Sequence, residues 1–293
     1  MFEKSTDAIT REYFNSILIT PKYLDCELAD TSFELFGEKF DTPIMTAALS
    51  HLKSCEDGMV EFGKGAKEAN AVHFVGMGED EELERIIATG AKSVKIIKPH
   101  ESDAEVFRRI EHAKAHGAFA VGMDIDHAVS GNGGYDNVLG LPMATKSKEQ
   151  LKAFIEASGD TPFVVKGVLS TADAEKCVEA GAKAIIVSHH HGIMDTMVPP
   201  LMVLPEIVKA VDGQLKVFVD CGFETGLDVF KALALGADAV GVGRALMDPL
   251  KEGGKGVAKR IIEMNNELKC VMARTGARTL KEIEPSVLRF RSF

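Results

Sequence analysis

Short apolar runs alternate along the chain with longer amphipathic stretches, and eight such runs stand out. They are Pro43 to Ala48 (PIMTAA), Ala71 to Gly76 (AVHFVG), Ser93 to Ile97 (SVKII), Phe119 to Asp124 (FAVGMD), Pro162 to Lys166 (PFVVK), Ala184 to Ser188 (AIIVS), Lys216 to Asp220 (KVFVD) and Ala239 to Gly243 (AVGVG). Between them lie helix-like segments such as DAEVFRRIEHAKAHG, SKEQLKAFIEASG, TADAEKCVEAG and TGLDVFKALALG. Several finish at a glycine suited to a left-handed C-cap. Strands nearly continuous in Val, Ile and Ala want both faces covered, as in a parallel sheet with helices outside. Eight such units in about 250 residues is the size of a (β/α)8 TIM barrel. An open doubly wound sheet is the rival, weakened because no strand is followed by a GxGxxG turn and no composition break marks a second domain. The pattern therefore predicts one α/β barrel domain over residues 1–293, with residues 1–40 as a short helical and extended N-terminal cap. No low-complexity linker or internal repeat interrupts it.

Composition narrows the function classes. The chain of 293 residues carries 34 Lys plus Arg against 44 Asp plus Glu, a net charge of -10, with 45% hydrophobic residues. A polyanion is repelled by such a surface, so neither nucleic acid nor an anionic membrane is an expected partner. No apolar run approaches the roughly 20 residues of a membrane-spanning helix, and the start MFEKSTDAITREYF is too polar for a signal peptide. A cytoplasmic protein is the expectation. The five cysteines, Cys26, Cys55, Cys177, Cys221 and Cys270, are scattered and form no CxxC pair. A disulfide framework or zinc site is not expected from them.

In a barrel of this kind the chemistry sits where the strands end at their C-termini, so the last residues of each run and the loops after them are the ones to read. Lys166 closes the fifth run; an ammonium there neutralises a bound anion or forms a Schiff base, unless it simply pairs with a neighbouring Asp. Asp220 and Gly222 end the seventh run, Gly243 and Arg244 the eighth. These are the loops in which barrels commonly hold phosphate, through backbone N–H groups and a short helix N-terminus. The segment VSHHHGIMD is the densest titratable cluster. His189, His190 and His191 cannot all face one way, so one or at most two point into the mouth, where an imidazole can take a proton from an alcohol. A metal reading would draw on Asp124, Asp126 and His127, but no HxxxH or HxH spacing on a regular element supports it, and no metal is expected. Cys221 reads as a small buried apolar residue before it reads as a redox thiol. His51 and His127 either enlarge the polar mouth or are solvated loop residues. The glycine-rich stretch from Val129 to Leu141 is a candidate lid.

These residues carry a likeness. The run KGVLSTADAEKCVEAGAKAIIVSHHHG, then PPLMVLPEIVKAV and VFVDCGFETGLDVFKALALGADAVGVGRALM, resembles the FMN-dependent α-hydroxy-acid oxidase and dehydrogenase family, which includes glycolate and lactate oxidases. The segment ITPKYLDCELADTSFELFGEKFDTPIMTAALSHL is similar to the family's leader and first strand, and ELKCVMARTGARTLKEI to its last helix. The resemblance implies a (β/α)8 barrel with FMN at its mouth and a homo-tetrameric or octameric assembly. It implies that Lys166 stabilises negative charge on the reduced flavin, that Ser188 contacts the ring edge, and that His190 is the catalytic base of an SNHGGR motif. Asp124 matches the acid of a TVD motif that orients this imidazole, Gly243 with Arg244 match the phosphate-binding GR, and Gly222 and Asp220 belong to the same phosphate loop. Thr46, Ala47 and Ala48 lie where a PTA segment packs its backbone on the flavin. His189, His191 and Ile97 fall at positions facing the substrate.

The departures bear on the substrate. The sequence reads SHHHGI for SNHGGR, so Ile193 replaces the arginine that clamps a carboxylate. Lys95, Ile96 and Ile97 stand for QLY, which removes a tyrosine and sets Lys95 at a flavin-facing glutamine, where it would be a second cation under the ring or a partner of a nearby acid. Glu224 replaces the arginine of DGGIR, and the family's tyrosine-bearing N-terminal segment is absent. Removing donors from a buried anion costs on the order of 1–3 kcal/mol for each group left unpaired, so a simple 2-hydroxy acid is a poor fit. The expected activity is FMN-dependent hydride transfer between flavin and a small hydroxy- or carbonyl-type substrate, with a separate electron acceptor: a diffusing molecule, a partner or oxygen. The alternatives are a flavin-free phosphate-binding barrel enzyme or binding protein, and an FMN-dependent isomerase, for which Lys53, Lys95 and Lys98 are too few cations to hold a diphosphate.

Overall fold

The computed structural model of the protein describes residues 5–291; residues 1–4 and 292–293 of the expected domain lie outside them. Each of the eight apolar runs is a strand: β1 (Ile44–Thr46), β2 (His73–Val75), β3 (Ser93–Ile97), β4 (Ala120–Asp124), β5 (Phe163–Val168), β6 (Ala184–Val187), β7 (Lys216–Val219) and β8 (Ala239–Val242). All are parallel, and chain neighbours are sheet neighbours. β8 returns to pair with β1, Val240 opposite Ile44 and Val242 opposite Thr46. Between β1 and β2, the Thr46 amide donates to the Val72 carbonyl at 3.1 Å and the Gly76 amide to the Leu49 carbonyl at 2.9 Å, which closes the ring.

The helices that follow the strands are α1 (Gly58–Glu68), α2 (Asp80–Ala88), α3 (Asp103–Ala115), α4 (Lys148–Ser158), α5 (Thr171–Ala180), α6 (Pro200–Val211), α7 (Gly226–Ala234) and α8 (Gly253–Thr275). Their ends follow local chemistry. Ser147 with Gln150 and Thr225 with Asp228 form capping boxes, each satisfying donors that the first turn leaves without a helical partner. α5 stops at Gly181, which takes the left-handed conformation at φ 92°.

Side chains alternate across each strand, so two cores result. Met45, Phe74, Val94, Ile96, Val164, Ile186 and Phe218 fill the barrel interior. Ile44, Val75, Ile97, Val121, Met123, Val165, Val187 and Val219 face the helices. In β4 the interior row includes Gly122, where an added Cβ would stand 2.2 Å from the Val164 carbonyl oxygen and 2.8 Å from Ile96 Cδ1. No larger residue fits that crowded layer.

The expected N-terminal cap divides into two devices. A hairpin of Phe33–Leu35 and Glu38–Phe40 pushes Phe33, Leu35 and Phe40 into the interior cluster and plugs the N-terminal end of the barrel. A cap helix, Thr6–Ser16, lies across the other end and buries Phe14 edge-on to Phe223, with ring centroids 4.9 Å apart. Ile17–Ile19 pairs antiparallel with Leu288–Phe290 and ties the two ends of the chain together. The glycine-rich stretch after β4 is an antiparallel ribbon, Asn137 opposite Pro142 and Val138 opposite Leu141. Among the described residues no helix is long and apolar enough to cross a membrane.

Candidate active site

The inward rows of the strands end, at the mouth, in Ala47, Asp124, Lys166, Ser188, Asp220 and Gly241 with Gly243. A cleft opens there, at the position where ligands bind in barrels of this kind. Its floor and one wall are short: Ala47, Ala48, Gly241 and Gly243. The charged and polar lining comes from Lys166, His190, His191, Asp220, Cys221, Glu224 and Arg244, with Leu49, Gly222 and Phe223 between them.

At the centre is a buried carboxylate between two ammonium groups. Lys166 Nζ lies 3.0 Å from Asp124 Oδ1, and Lys98 Nζ donates to Oδ2 at 2.7 Å. Burial alone would raise the Asp124 carboxyl; the charges of Lys166 and Lys98, with His190, overcome it and hold the group well below the usual carboxylate range. Burial likewise opposes the charge on Lys166, yet Asp124, Asp220 and Asp126 keep its ammonium above the ordinary lysine range.

His190 leans on this pair from the loop after β6. Its Nδ1 is 3.0 and 3.2 Å from the two Asp126 oxygens and 3.1 Å from Lys166 Nζ, and 3.8 Å from Asp124 Oδ1. The nearer acid is Asp126, where the resemblance pointed to Asp124. Nε2 has no protein partner among the described residues. The backbone of His190 is left-handed, φ 49°, and its amide donates to Ser188 Oγ at 3.1 Å. Ser188 is itself buried; it braces the turn that aims the imidazole. Asp124, Asp126 and His190 each offer a donor atom within 4.8 Å of the others, but Lys98 and Lys166 already supply Asp124 with the positive charge that a metal would bring.

Two histidines of the three line the cleft, and of these only His190 reaches the buried charges. His189, expected to face the substrate, is fully buried; its Nε2 bonds Thr10 Oγ1 of the cap helix at 2.8 Å and its Nδ1 accepts from the Gly192 amide at 3.3 Å. Burial pushes its pKa below the ordinary imidazole value. His191 is half-exposed on the rim, with Nδ1 3.0 Å from Asp7 Oδ1. Asp7, in the first turn of the cap helix, also takes both Arg244 guanidinium nitrogens at 3.0 Å.

In the seventh loop, buried Asp220 accepts from the Cys221 thiol at 3.0 Å. Burial, reinforced by Asp220, pushes that thiol above its ordinary range, so it is not a ready thiolate. Gly222 is left-handed at φ 85°, and an added Cβ would meet Thr10 Cγ2 at 3.0 Å and Phe14 Cε2 at 3.2 Å. Glycine here lets the cap helix close onto the loop. Glu224 is exposed; Arg11 of the cap helix stands 3.7 Å from it while gripping Asp228 at 2.9 and 3.1 Å. A cation thus reaches the seventh loop from another part of the chain.

Three expected site residues stand elsewhere. Thr46 faces the helices, its hydroxyl 2.8 Å from His73 Nδ1. Lys95 and Ile97 occupy the outward row of β3, opposite in parity to Val94 and Ile96. Lys95 is buried with Nζ donating to the Gly76 carbonyl at 2.5 Å, and burial lowers its pKa to about 8. Lys98, the next inward position after Ile96, is the residue of this segment that joins the site. The sequence marks Lys98 only as a cation for a diphosphate and Asp126 only as a possible metal ligand, neither in the role seen here, and does not single out Asp7.

The residues fit a flavin mononucleotide. The Ala and Gly wall leaves room for a flat ring beside Lys166, and the Gly243 amide and Arg244 guanidinium are donors along the same cleft that would suit a phosphate. A closed parallel barrel with this mouth defines the class of flavin-dependent barrel oxidoreductases. Residues 2–159 and 143–290 match the family model described as FMN-dependent dehydrogenase, and the chain belongs to that family: it is an FMN-dependent oxidoreductase with FMN as its cofactor. L-lactate oxidase of Lactobacillus jensenii is 30% identical, over 94% of this chain and 76% of its own length. Glycolate oxidase of Spinacia oleracea is 30% identical, over 96% and 86%. A mandelate oxidase variant solved with a monooxide FMN adduct superposes with a TM-score of 0.88 at 27% identity, covering 99% of this chain and 93% of that one.

Proposed function

We propose that the protein oxidises a small hydroxyl-bearing substrate, or in reverse reduces the carbonyl, with His190 as the base that takes the hydroxyl proton. One observation carries this reading: His190 lines the cleft with Nδ1 held between Asp126 at 3.0 Å and Lys166 at 3.1 Å, while Nε2 has no hydrogen-bond partner among the described residues. Asp126 accepts the Nδ1 proton, fixes the tautomer that leaves Nε2 as the proton acceptor, and offsets the charge the ring gains. Bound FMN supplies the hydride acceptor. Lys166 presents a permanent positive charge at the cleft wall, and Asp124 keeps that lysine in place through a 3.0 Å contact. Ala47 and Ala48, with Gly222, Gly243 and Arg244, are the residues we assign to holding FMN; Ser188 and Asp220 support them.

The substrate is argued to be other than a simple 2-hydroxy acid. Ile193 supplies no donor for a carboxylate, Ile97 is buried in the outer layer, and both lysines at the centre are shared with Asp124. Arg244 is assigned to the phosphate. Anaerobic titration of the FMN-loaded enzyme with hydroxy acids, neutral alcohols and amines tests this through bleaching of the flavin absorbance. Efficient bleaching by an uncharged alcohol is the expected result; comparable bleaching by lactate or glycolate at low concentration would overturn the substrate assignment.

A further inference from the structure

The histidine spacing that the mouth lacks stands on the outer wall of the barrel. α3 carries His112, and His116 follows four residues later at its C-cap; α2 presents Glu84 beside them. Glu84 Oε1 is 3.0 Å from His112 Nε2 and 3.4 Å from His116 Nε2, and the two imidazole centroids are 4.3 Å apart. One donor atom from each residue lies within 4.8 Å of the other two. For ligands about 2.0–2.1 Å from a tetrahedral ion, donor atoms sit about 3.3 Å apart. The carboxylate thus stands at nearly that spacing from each imidazole, and the two imidazole donors are within 4.8 Å of one another.

Hydrogen bonds at the far ring nitrogen decide what the near one offers. His116 Nδ1 is 2.8 Å from the His112 carbonyl oxygen, which can only accept, so the proton sits on Nδ1 and Nε2 of the neutral ring is a lone pair. That lone pair faces the Glu84 carboxylate, an unfavourable meeting unless a cation lies between them. His112 Nδ1 stands 3.8 Å from Asp80 Oδ1, beyond hydrogen-bond reach, so its tautomer is left free, while its Nε2 is 3.0 Å from Glu84 Oε1. The nearby cations do not neutralise Glu84: Arg108 pairs with Glu105 and Asp80, and Arg109 with Glu105. Glu84 and His116 are exposed and His112 is partly so, which leaves an entry path.

We propose that Glu84, His112 and His116 form a binding site for a divalent transition metal of the zinc class, with water completing the coordination. Two imidazole nitrogens and one carboxylate oxygen favour Zn²⁺, Ni²⁺ or Cu²⁺ over Mg²⁺ and Ca²⁺, which prefer an all-oxygen set. The ion cross-links α2 and α3, the helices on either side of β3. The site shares no residue with the cleft, so it stands or falls independently of the proposed reaction.

Zn²⁺ alone is the probe. Chelator-stripped, FMN-loaded enzyme is titrated with Zn²⁺ by calorimetry near neutral pH, with melting followed in parallel. One equivalent per chain is expected, with a raised melting temperature, an unaltered flavin spectrum, and affinity weakened by about 100-fold or more in His116→Ala and in Glu84→Gln. His116 is exposed, so its replacement leaves folding intact. Co²⁺ bound at the same site is expected to show the visible bands of a four-coordinate ion. The proposal is overturned if no stoichiometric Zn²⁺ binds, which leaves a protonated His–Glu ion pair as the reading. It is equally overturned if binding survives in His112→Ala/His116→Ala and is lost in Asp126→Asn, which would put the ion at the mouth.

Discussion

His190 has one ring nitrogen in contact with acid and the other at the cleft, and this division sets what its variants do. His190→Asn is expected to slow anaerobic flavin reduction by roughly 10²–10⁴-fold while FMN binding, read from quenching of flavin fluorescence, stays intact. Asp126→Asn should reproduce most of that loss, because an amide in place of the carboxylate no longer selects the tautomer. Asp124→Asn should act differently, by releasing Lys98 and Lys166 and weakening FMN binding as well. If Asp126→Asn turned over like the wild type and Asp124→Asn did not, the assignment of the orienting acid would be reversed. The sequence pointed to His190, Lys166 and Asp124 because each ends a strand or motif of recognisable type. It set Lys95 rather than Lys98 at the mouth for a physical reason: every residue of β3 is buried, so neither face shows a polar alternation, and a shift of one position exchanges the inward and outward rows without leaving a trace. Asp126 was raised only as a metal ligand, because its approach to His190 is set by two loops meeting in space.

At the scale of the element, the cap helix governs the mouth. Asp7 holds the guanidinium that a phosphate would need, so Asp7→Asn is expected to tighten FMN binding by at least about twofold, the exposed pair itself being weak. Fluorescence titration of the stripped enzyme checks this; weaker binding in Asp7→Asn would mean that Asp7 positions Arg244 rather than competing for it. Phe14 is the helix's anchor, fully buried against Phe223 with the Arg11 guanidinium 4.6 Å from its ring centroid. Phe14→Ala should cost about 3–5 kcal/mol of stability in urea denaturation and loosen FMN binding with it. The sequence marked residues 1–40 as a cap but carried no sign of which end each part covers. That depends on Gly222 leaving room for Thr10 and Phe14, and on Phe33 and Phe40 finding the barrel interior, contacts that span most of the chain.

For the molecule as a whole, the eight-fold alternation was legible because strands covered on both faces must be Val, Ile and Ala, and a closed ring leaves no edge to disguise. The same burial makes the protein acid-sensitive. His73 is buried, with Nε2 unpartnered, and burial lowers its pKa from 6.5 to about 3. His100 is lowered to about 4, again chiefly by burial. Between those values and 6.5 the unfolded chain holds more protons than the folded one, so stability falls as pH falls through that window. Asp124, with its lowered pKa, adds a loss in the same direction below 3.8. Lys95 acts between about 8 and 10.5, where stability should rise with pH because the unfolded chain again holds the extra proton. Urea midpoints measured across pH test this: His73→Leu should show a shallower decline on the acid side, and an unchanged slope would contradict the assignment.

The brace between Asp7 and Arg244 joins residues 237 positions apart, and that from Thr10 to His189 spans 179. During synthesis the cap helix must therefore wait, without its partners, until the eighth strand and the loop after it have emerged. Barrel units made early can collapse on their neighbours, but the pocket for the cofactor is finished last. A nascent chain stalled before its eighth strand should be compact and still unable to retain FMN.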